Sequence, residues 1–158
     1  MVGSLMNTLK AMELAHAKMK EHGLDGKGWT FHFDKAKRRF GYCRYKLKTI
    51  SLSRELTELN DEAKVLDTIL HEIAHALAGP RAGHYRKWKY IASSIGATPT
   101  RCYGSDVVQP EHKWIGRCPA GHEVHRMKRM RLSCSRCHPR FSTDHLFEWI
   151  PNTATGVE

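Results

Sequence analysis

Residues Thr68–Trp88 read TILHEIAHALAGPRAGHYRKW, three histidines and a glutamate in a helical pattern that Gly79-Pro80 interrupts. His71 and His75 are four apart, so on a helix they project from one face a turn apart. Two imidazoles so placed can grip a single ion at about 2.0–2.1 Å. Glu72 sits beside the first histidine, where it can reach a water at an open metal position without being a ligand itself. This is the H-E-x-x-H arrangement of zinc peptidases. Five residues with three fixed also arise by chance, so the context decides.

A catalytic zinc needs a third protein ligand and one open position. Eight residues separate His75 from His84, and Gly79-Pro80 with Arg81-Ala82-Gly83 turns the chain between them. A reversal of that length can bring His84 back over the pair. The plainer alternative is a helix-start residue facing water. Zinc held by three neutral imidazoles lowers the pKa of a bound water to about 7. Glu72 would take the proton during attack and deliver it to the leaving amine. Asp67, one turn before His71, is a candidate to orient that ring, with an exposed helix position as the equally open alternative. Tyr85 and Tyr90 are candidates to stabilise the oxyanion, with packing as their alternative role.

Outward from this stretch, Asn60 as N-cap, with Asp61 and Glu62 after it, opens the helix that Gly79-Pro80 ends. Val65, Leu66, Ile69, Ile73 and Leu77 give it a broad buried face. A third helix starts near His84, buries Trp88, Ile91, Ala92 and Ile95, and ends at Gly96. Upstream, Leu5, Leu9, Met12 and Met19 recur at helical spacing, so a first helix is expected from Leu5 to Glu21, stopping at His22-Gly23. WTFHFD (29–34) and FGYCRYKLKTISLS (40–53) are rich in strand formers. With KAKRR (35–39) as the turn, they predict an antiparallel hairpin with a basic tip.

The 158 residues leave room for one medium domain and an appendage. Apolar content of 41% excludes wholesale disorder. Lys and Arg number 26 against 16 Asp and Glu, and the net charge of +10 favours a polyanionic partner. No apolar run of membrane-spanning length occurs and the N-terminal region lacks a signal-peptide pattern, so the expectation is a cytoplasmic chain that is reduced.

From Thr98 onward the periodicity disappears and Cys, His, Pro and Arg dominate, which places a boundary near Asp106 to Glu111. RCPAGHEVHRMKRMRLSCSRCHPRF (117–141) contains Cys118-x3-His122 and, eleven residues on, Cys134-x2-Cys137. Such knuckles supply four ligands for a closed tetrahedral zinc that would provide much of a small unit's folding energy. His122 is favoured as fourth ligand because a tight Pro-Ala-Gly turn separates it from Cys118, with His125 and His138 as rivals. Cys43 and Cys102 have no partner at useful spacing and read as core residues.

Basic residues concentrate in two stretches. Residues 27 to 54 carry nine Lys/Arg against Asp34 alone, and residues 112 to 140 carry eight against Glu123 alone. Lys37, Arg38 and Arg39 in the first, and Lys128, Arg129 and Arg131 in the second, are candidate phosphate contacts. Interleaved aromatics, Trp114 and Phe141 among them, are candidates to stack on bases of a single strand, with core packing on an alternating strand as the plainer role for most of them. A plain solvated face is the alternative.

VLDTILHEIAHALAGPRAGHYRKWKYIASSIGA (65–97) resembles the SprT-like, or Spartan-type, zinc metallopeptidases. The resemblance covers most of the chain: leading helix, basic hairpin with TISLSREL, HExxH helix, GHYRKW helix and C-terminal ribbon. It implies His71, His75 and His84 as zinc ligands and Glu72 as catalytic acid/base. It also implies substrates that are DNA-bound or DNA-crosslinked proteins, with cleavage promoted by nucleic acid. Tyr85-Arg86 departs from the Gly-Pro that many members carry, which bears on the cleft rim.

The expectation is therefore an α+β protein: a zincin-like domain over residues 1–108, a zinc ribbon over 109–150 and a flexible tail over 151–158. It would carry two Zn2+ ions, one catalytic and one structural, act as a monomer without membrane attachment, and bind single-stranded or damaged DNA; in a prokaryotic cell it would sit at the nucleoid. Two rivals stand beside it. One is a nucleic-acid-binding zinc protein without protease activity; the other is a zinc peptidase on soluble proteins with no DNA role.

Overall fold

The computed structural model describes residues 4–101 and 107–153. The chain forms a mixed α+β structure of two compact units, Met1–Pro110 and Glu111–Glu158. Cys102 lies outside the described residues.

In the first unit, helix α1 (Thr8–Glu21) starts later than expected because Asn7 caps it, its Oδ1 accepting from the Lys10 N–H at 2.7 Å. Leu5 instead bridges to Asp61. Of the anticipated stripe only Met19 is buried: it faces the core with Ala11 and Ala15, whereas Leu5 and Leu9 are about three-fifths exposed, at 62% and 61%. Small alanines admit a neighbouring helix closely, and α1 packs on the helix that carries His71. The end at His22-Gly23 follows expectation, with Gly23 at φ 72°.

Strands β1 (Thr30–Asp34), β2 (Gly41–Arg44) and β3 (Thr49–Ser53) form a sheet ordered β1-β3-β2. This corrects the expected hairpin. β1 runs parallel to β3, and only β2 and β3 are antiparallel neighbours. Residues 35–40 are therefore a crossing connection, not a turn. Ser53 holds that crossing: its Oγ donates to the Ala36 carbonyl at 2.6 Å and its N–H to the Phe40 carbonyl at 2.7 Å. The hairpin turn lies at Tyr45–Lys48, where Lys48 takes φ 48°. Central β3 is buried along its whole length, so its polar side chains need internal partners. Ser51 Oγ donates to Asp34 Oδ2, which also accepts from Arg39 Nη2.

Ser53 caps a short helix α2 (Arg54–Leu59) that the sequence pattern does not announce. Asn60 ends α2 instead of opening the next helix. Its buried amide accepts from Val108 N–H and donates to the Val108 and Leu56 carbonyls, each at 2.8 Å. Asp61 is the N-cap of α3 (Glu62–Ala78), accepting from Lys64 N–H. Val65, Ile69, Leu70, Ile73 and Ala74 are buried, and Gly79 at φ 90° terminates the helix as expected. Helix α4 (Arg86–Ser94) buries Trp88 and Ala92 and begins two residues beyond His84, which leaves His84 in the preceding loop.

The second unit is a three-stranded antiparallel sheet, β4 (Trp114–Arg117) between β5 (Glu123–Arg126) and β6 (Glu148–Pro151). Its core is small: Cys118, Cys134 and Phe147 are buried, with Val124, Leu132, Cys137 and Trp149 around them. Gly116 is needed because a β-carbon there would stand 2.8 Å from the Trp149 ring. Pro151 and Asn152, expected in the tail, are tied in. Pro151 closes β6, and Asn152 donates to the Lys113 and His112 carbonyls.

Candidate functional site

The α3 helix presents His71 and His75 a turn apart, and the break at Gly79 returns the chain so that His84 meets them. His84 Nε2 lies 3.1 Å from His71 Nε2 and 2.9 Å from His75 Nε2. Trp88 packs against all three rings, at 4.6, 5.2 and 4.8 Å between centroids for His71, His75 and His84. Its indole N–H is directed to the His71 carbonyl at 3.4 Å. By sequence Trp88 reads only as a core residue. Its spacing from His84 is visible there, but its position behind the histidine rings depends on the loop's path.

Three imidazole nitrogens converging on one point is a donor set suited to a divalent cation. Burial pushes His71 down to about 3, helped by His75 and His84, and His75 down to about 4, helped by His84. His84 is lowered by burial and by the Arg101 charge. The neutral rings keep lone pairs available for a metal. The residues fit the group.

Glu72 is buried beside this cluster, 3% exposed. Strand β2 lies against it: a β-carbon on Gly41 would stand 2.8 Å from Glu72 Cγ and Oε1. A cleft of about 810 Å³ opens over His71, Glu72, His75 and His84, and residues 41–47 form one wall. Cys43, expected as a packing residue, is indeed 8% exposed, but it also borders the cleft. Burial and the Glu72 charge push its thiol up to about 12.

Three expected roles change. Asp67 Oδ1 accepts from the Thr98 N–H at 2.7 Å, so it fastens the chain after α4. Tyr85 and Tyr90 are 80% and 77% exposed, and neither borders the cleft; Tyr42 and Tyr45 do. The signal that would have found Tyr45 is strand alternation from Gly41 through Cys43, read against the true hairpin turn; alternation alone does not single out Tyr42.

In the second unit, Cys118, His122, Cys134 and Cys137 converge. His122 Nδ1 stands 3.5, 3.4 and 3.5 Å from the sulphurs of Cys118, Cys134 and Cys137. The Cys118 and Cys137 sulphurs are 3.8 Å apart, well beyond the ~2.05 Å of a disulfide. Gly121 at φ 87° makes the tight turn that delivers His122. The rivals point elsewhere. His125 faces His112, while His138 stacks on His145 and its Nδ1 accepts from Arg140 N–H. These four residues too can hold a metal.

The basic candidates divide. Lys37 pairs with Glu55, Arg38 donates to Gln109 at 2.9 Å and Arg39 to Asp34 at 2.9 Å, so that trio is half-buried and partnered. Lys128, Arg129 and Arg131 are exposed on the segment after β5. Arg129 lies over the Trp114 ring at 4.6 Å and Arg131 over Phe141 at 5.3 Å. No described helix is long and apolar enough to cross a membrane.

No curated protein matches the chain significantly. The SprT-like family model matches residues 9–113, which takes in α1, the sheet, the three histidines and Glu72. With two thirds of its length so matched, the chain belongs to the SprT-like family, a metallopeptidase-type domain.

Proposed function

We propose that this protein is a zinc-dependent endopeptidase that cuts DNA-bound or DNA-crosslinked proteins. The observation that carries the reading is the convergence of His71, His75 and His84 beside buried Glu72 in an open cleft. When bound there, zinc supplies Lewis-acid polarisation of a peptide carbonyl and acidifies water. Glu72 takes one proton from the attacking water as the new C–O bond forms. It returns that proton to the leaving nitrogen as the C–N bond breaks, so atoms and charge balance. Trp88 and the loop hold the three rings in place while this occurs.

A second zinc, held by Cys118, His122, Cys134 and Cys137, would make the C-terminal unit a zinc ribbon and support its small core. DNA binding draws support from the net charge of +10 and from the exposed Lys128–Arg131 segment with its cation–aromatic pairs. A cytoplasmic, nucleoid-associated monomer is the setting this reading implies. The internal partners of Lys37, Arg38 and Arg39 favour a second reading, a peptidase on soluble proteins.

The deciding experiment measures cleavage of a DNA-binding protein with and without single-stranded DNA, for wild type and Glu72→Gln. Wild type should cut and be stimulated by DNA, and Glu72→Gln should be inert with zinc retained. Cleavage that ignores DNA selects the soluble-substrate peptidase. No cleavage by zinc-loaded wild type rejects the peptidase.

A further inference from the structure

The Glu72 shuttle and the metal leave one requirement unassigned: a donor for the oxygen that becomes negative as the peptide carbonyl is attacked. Removing such a donor typically costs about 10²–10³ in kcat. Tyr85 and Tyr90 are too exposed to act within the cleft.

Strand β2 supplies an alternative. Side chains alternate along it, with Gly41 and Cys43 buried and Tyr42 and Arg44 exposed. Tyr45 follows β2 directly as the first residue of the hairpin turn, with the same parity as Gly41 and Cys43, and it borders the cleft. Gly41 anchors that register, since it is in contact distance of Glu72. The Tyr45 ring is braced edge-on by Trp29, with centroids 6.3 Å apart. Tyr45 and the Cys43 thiol, two residues nearer Gly41, interact electrostatically with each other and with Glu72. Burial, reinforced by the Glu72 charge, raises the phenol above its usual range and keeps it a donor.

Tyr42 also borders the cleft, but it alternates to the opposite face from Gly41 and its ring is taken up by Arg39 and Arg44.

We propose that Tyr45 is a further catalytic residue, donating a hydrogen bond to the scissile carbonyl oxygen as that oxygen gains negative charge. The assignment rests on the peptidase reading above and names the residue that completes its site. Arg101, which also borders the cleft and acts on His84, is the competing donor.

The test compares wild type, Tyr45→Phe and Arg101→Ala, all zinc-loaded, for kcat, KM, zinc content, melting temperature and calorimetric affinity for a phosphinic peptide. Tyr45→Phe keeps the ring against Trp29 and should fold. It should lose about 10²-fold in kcat and a similar factor in phosphinic-peptide affinity, with KM and zinc content within about twofold of wild type. Unchanged kcat and affinity in Tyr45→Phe overturn the assignment while leaving the peptidase standing. So does lost kcat with phosphinic affinity intact, or this signature appearing in Arg101→Ala in place of Tyr45→Phe. Wild type that neither cleaves nor binds the phosphinic peptide removes both the peptidase reading and the role of Tyr45.

Discussion

Gly41 lies directly against Glu72, so close that a β-carbon at Gly41 would stand 2.8 Å from both Cγ and Oε1 of the glutamate. Thr68 closes the same space, with its Cγ2 3.0 Å from that position. Glycine is required here for approach, not for an unusual backbone angle. Gly41→Ala must displace either the strand or the carboxylate. A misplacement of about 1 Å can cost about 10²-fold in rate. We expect Gly41→Ala to lose activity on that scale while zinc content, read by elemental analysis, stays at the wild-type value. Wild-type turnover in this variant would show that Glu72 tolerates a shifted wall.

His84 is the only member of the histidine cluster outside a helix, and it completes the donor set. His84→Ala should abolish cleavage and weaken zinc binding in competition with a chelator. Tyr85→Phe, which alters an exposed ring, should do neither. Retained activity in His84→Ala would exclude it as a ligand.

The cluster should also make metal-free protein acid-sensitive. Buried His71 and His75 hold pKa values of about 3 and about 4, whereas an unfolded chain's histidines titrate near about 6.5. Below that pH the unfolded chain binds protons that the folded protein does not, so stability is complete above about 6.5 and falls as pH drops toward 4 and 3. Denaturant midpoints of chelator-treated protein should therefore decline from pH 7 to pH 5, and less steeply in His71→Gln. Equal slopes in the two proteins would contradict the shift.

Cys134→Ser should reduce zinc from two ions per chain to one. The loss should loosen the C-terminal unit, whose buried core is little more than Cys118, Cys134 and Phe147. Hydrogen exchange should rise across β4, β5 and β6 while α3 remains protected. Two retained zinc ions in this variant would remove Cys134 from the ligand set.

Charge reversal at Lys128, Arg129 and Arg131 should weaken single-stranded DNA binding and its stimulation of cleavage. It should flatten the salt dependence by about 0.7 in log–log slope for each phosphate that is no longer neutralised. Reversing Lys37, Arg38 and Arg39 is a less clean experiment, because it also breaks the pairings with Glu55, Gln109 and Asp34 and should lower the melting temperature. Unaltered DNA affinity and salt slope in both variants would favour the soluble-substrate peptidase.

What the sequence determined by itself was local. His71, Glu72 and His75 share a face because a helix repeats every 3.6 residues, and Gly79 stops that helix because it can take a positive φ. The knuckle of Cys118 and His122 is legible for the same reason, being one tight turn. Tertiary structure decided what spacing does not encode. β3 lies between β1 and β2 because residues 35–40 cross over it, a pairing between segments whose adjacency in sequence suggested a simple hairpin. That crossing sets the wall that brings Gly41 to Glu72 and Tyr45 into the cleft. Asn60 and Asp67 are ordinary cap and helix residues by sequence, yet both serve backbone groups 48 and 31 residues away. Buried backbone groups must find partners wherever the fold brings them, so such roles follow from long-range packing and not from local pattern.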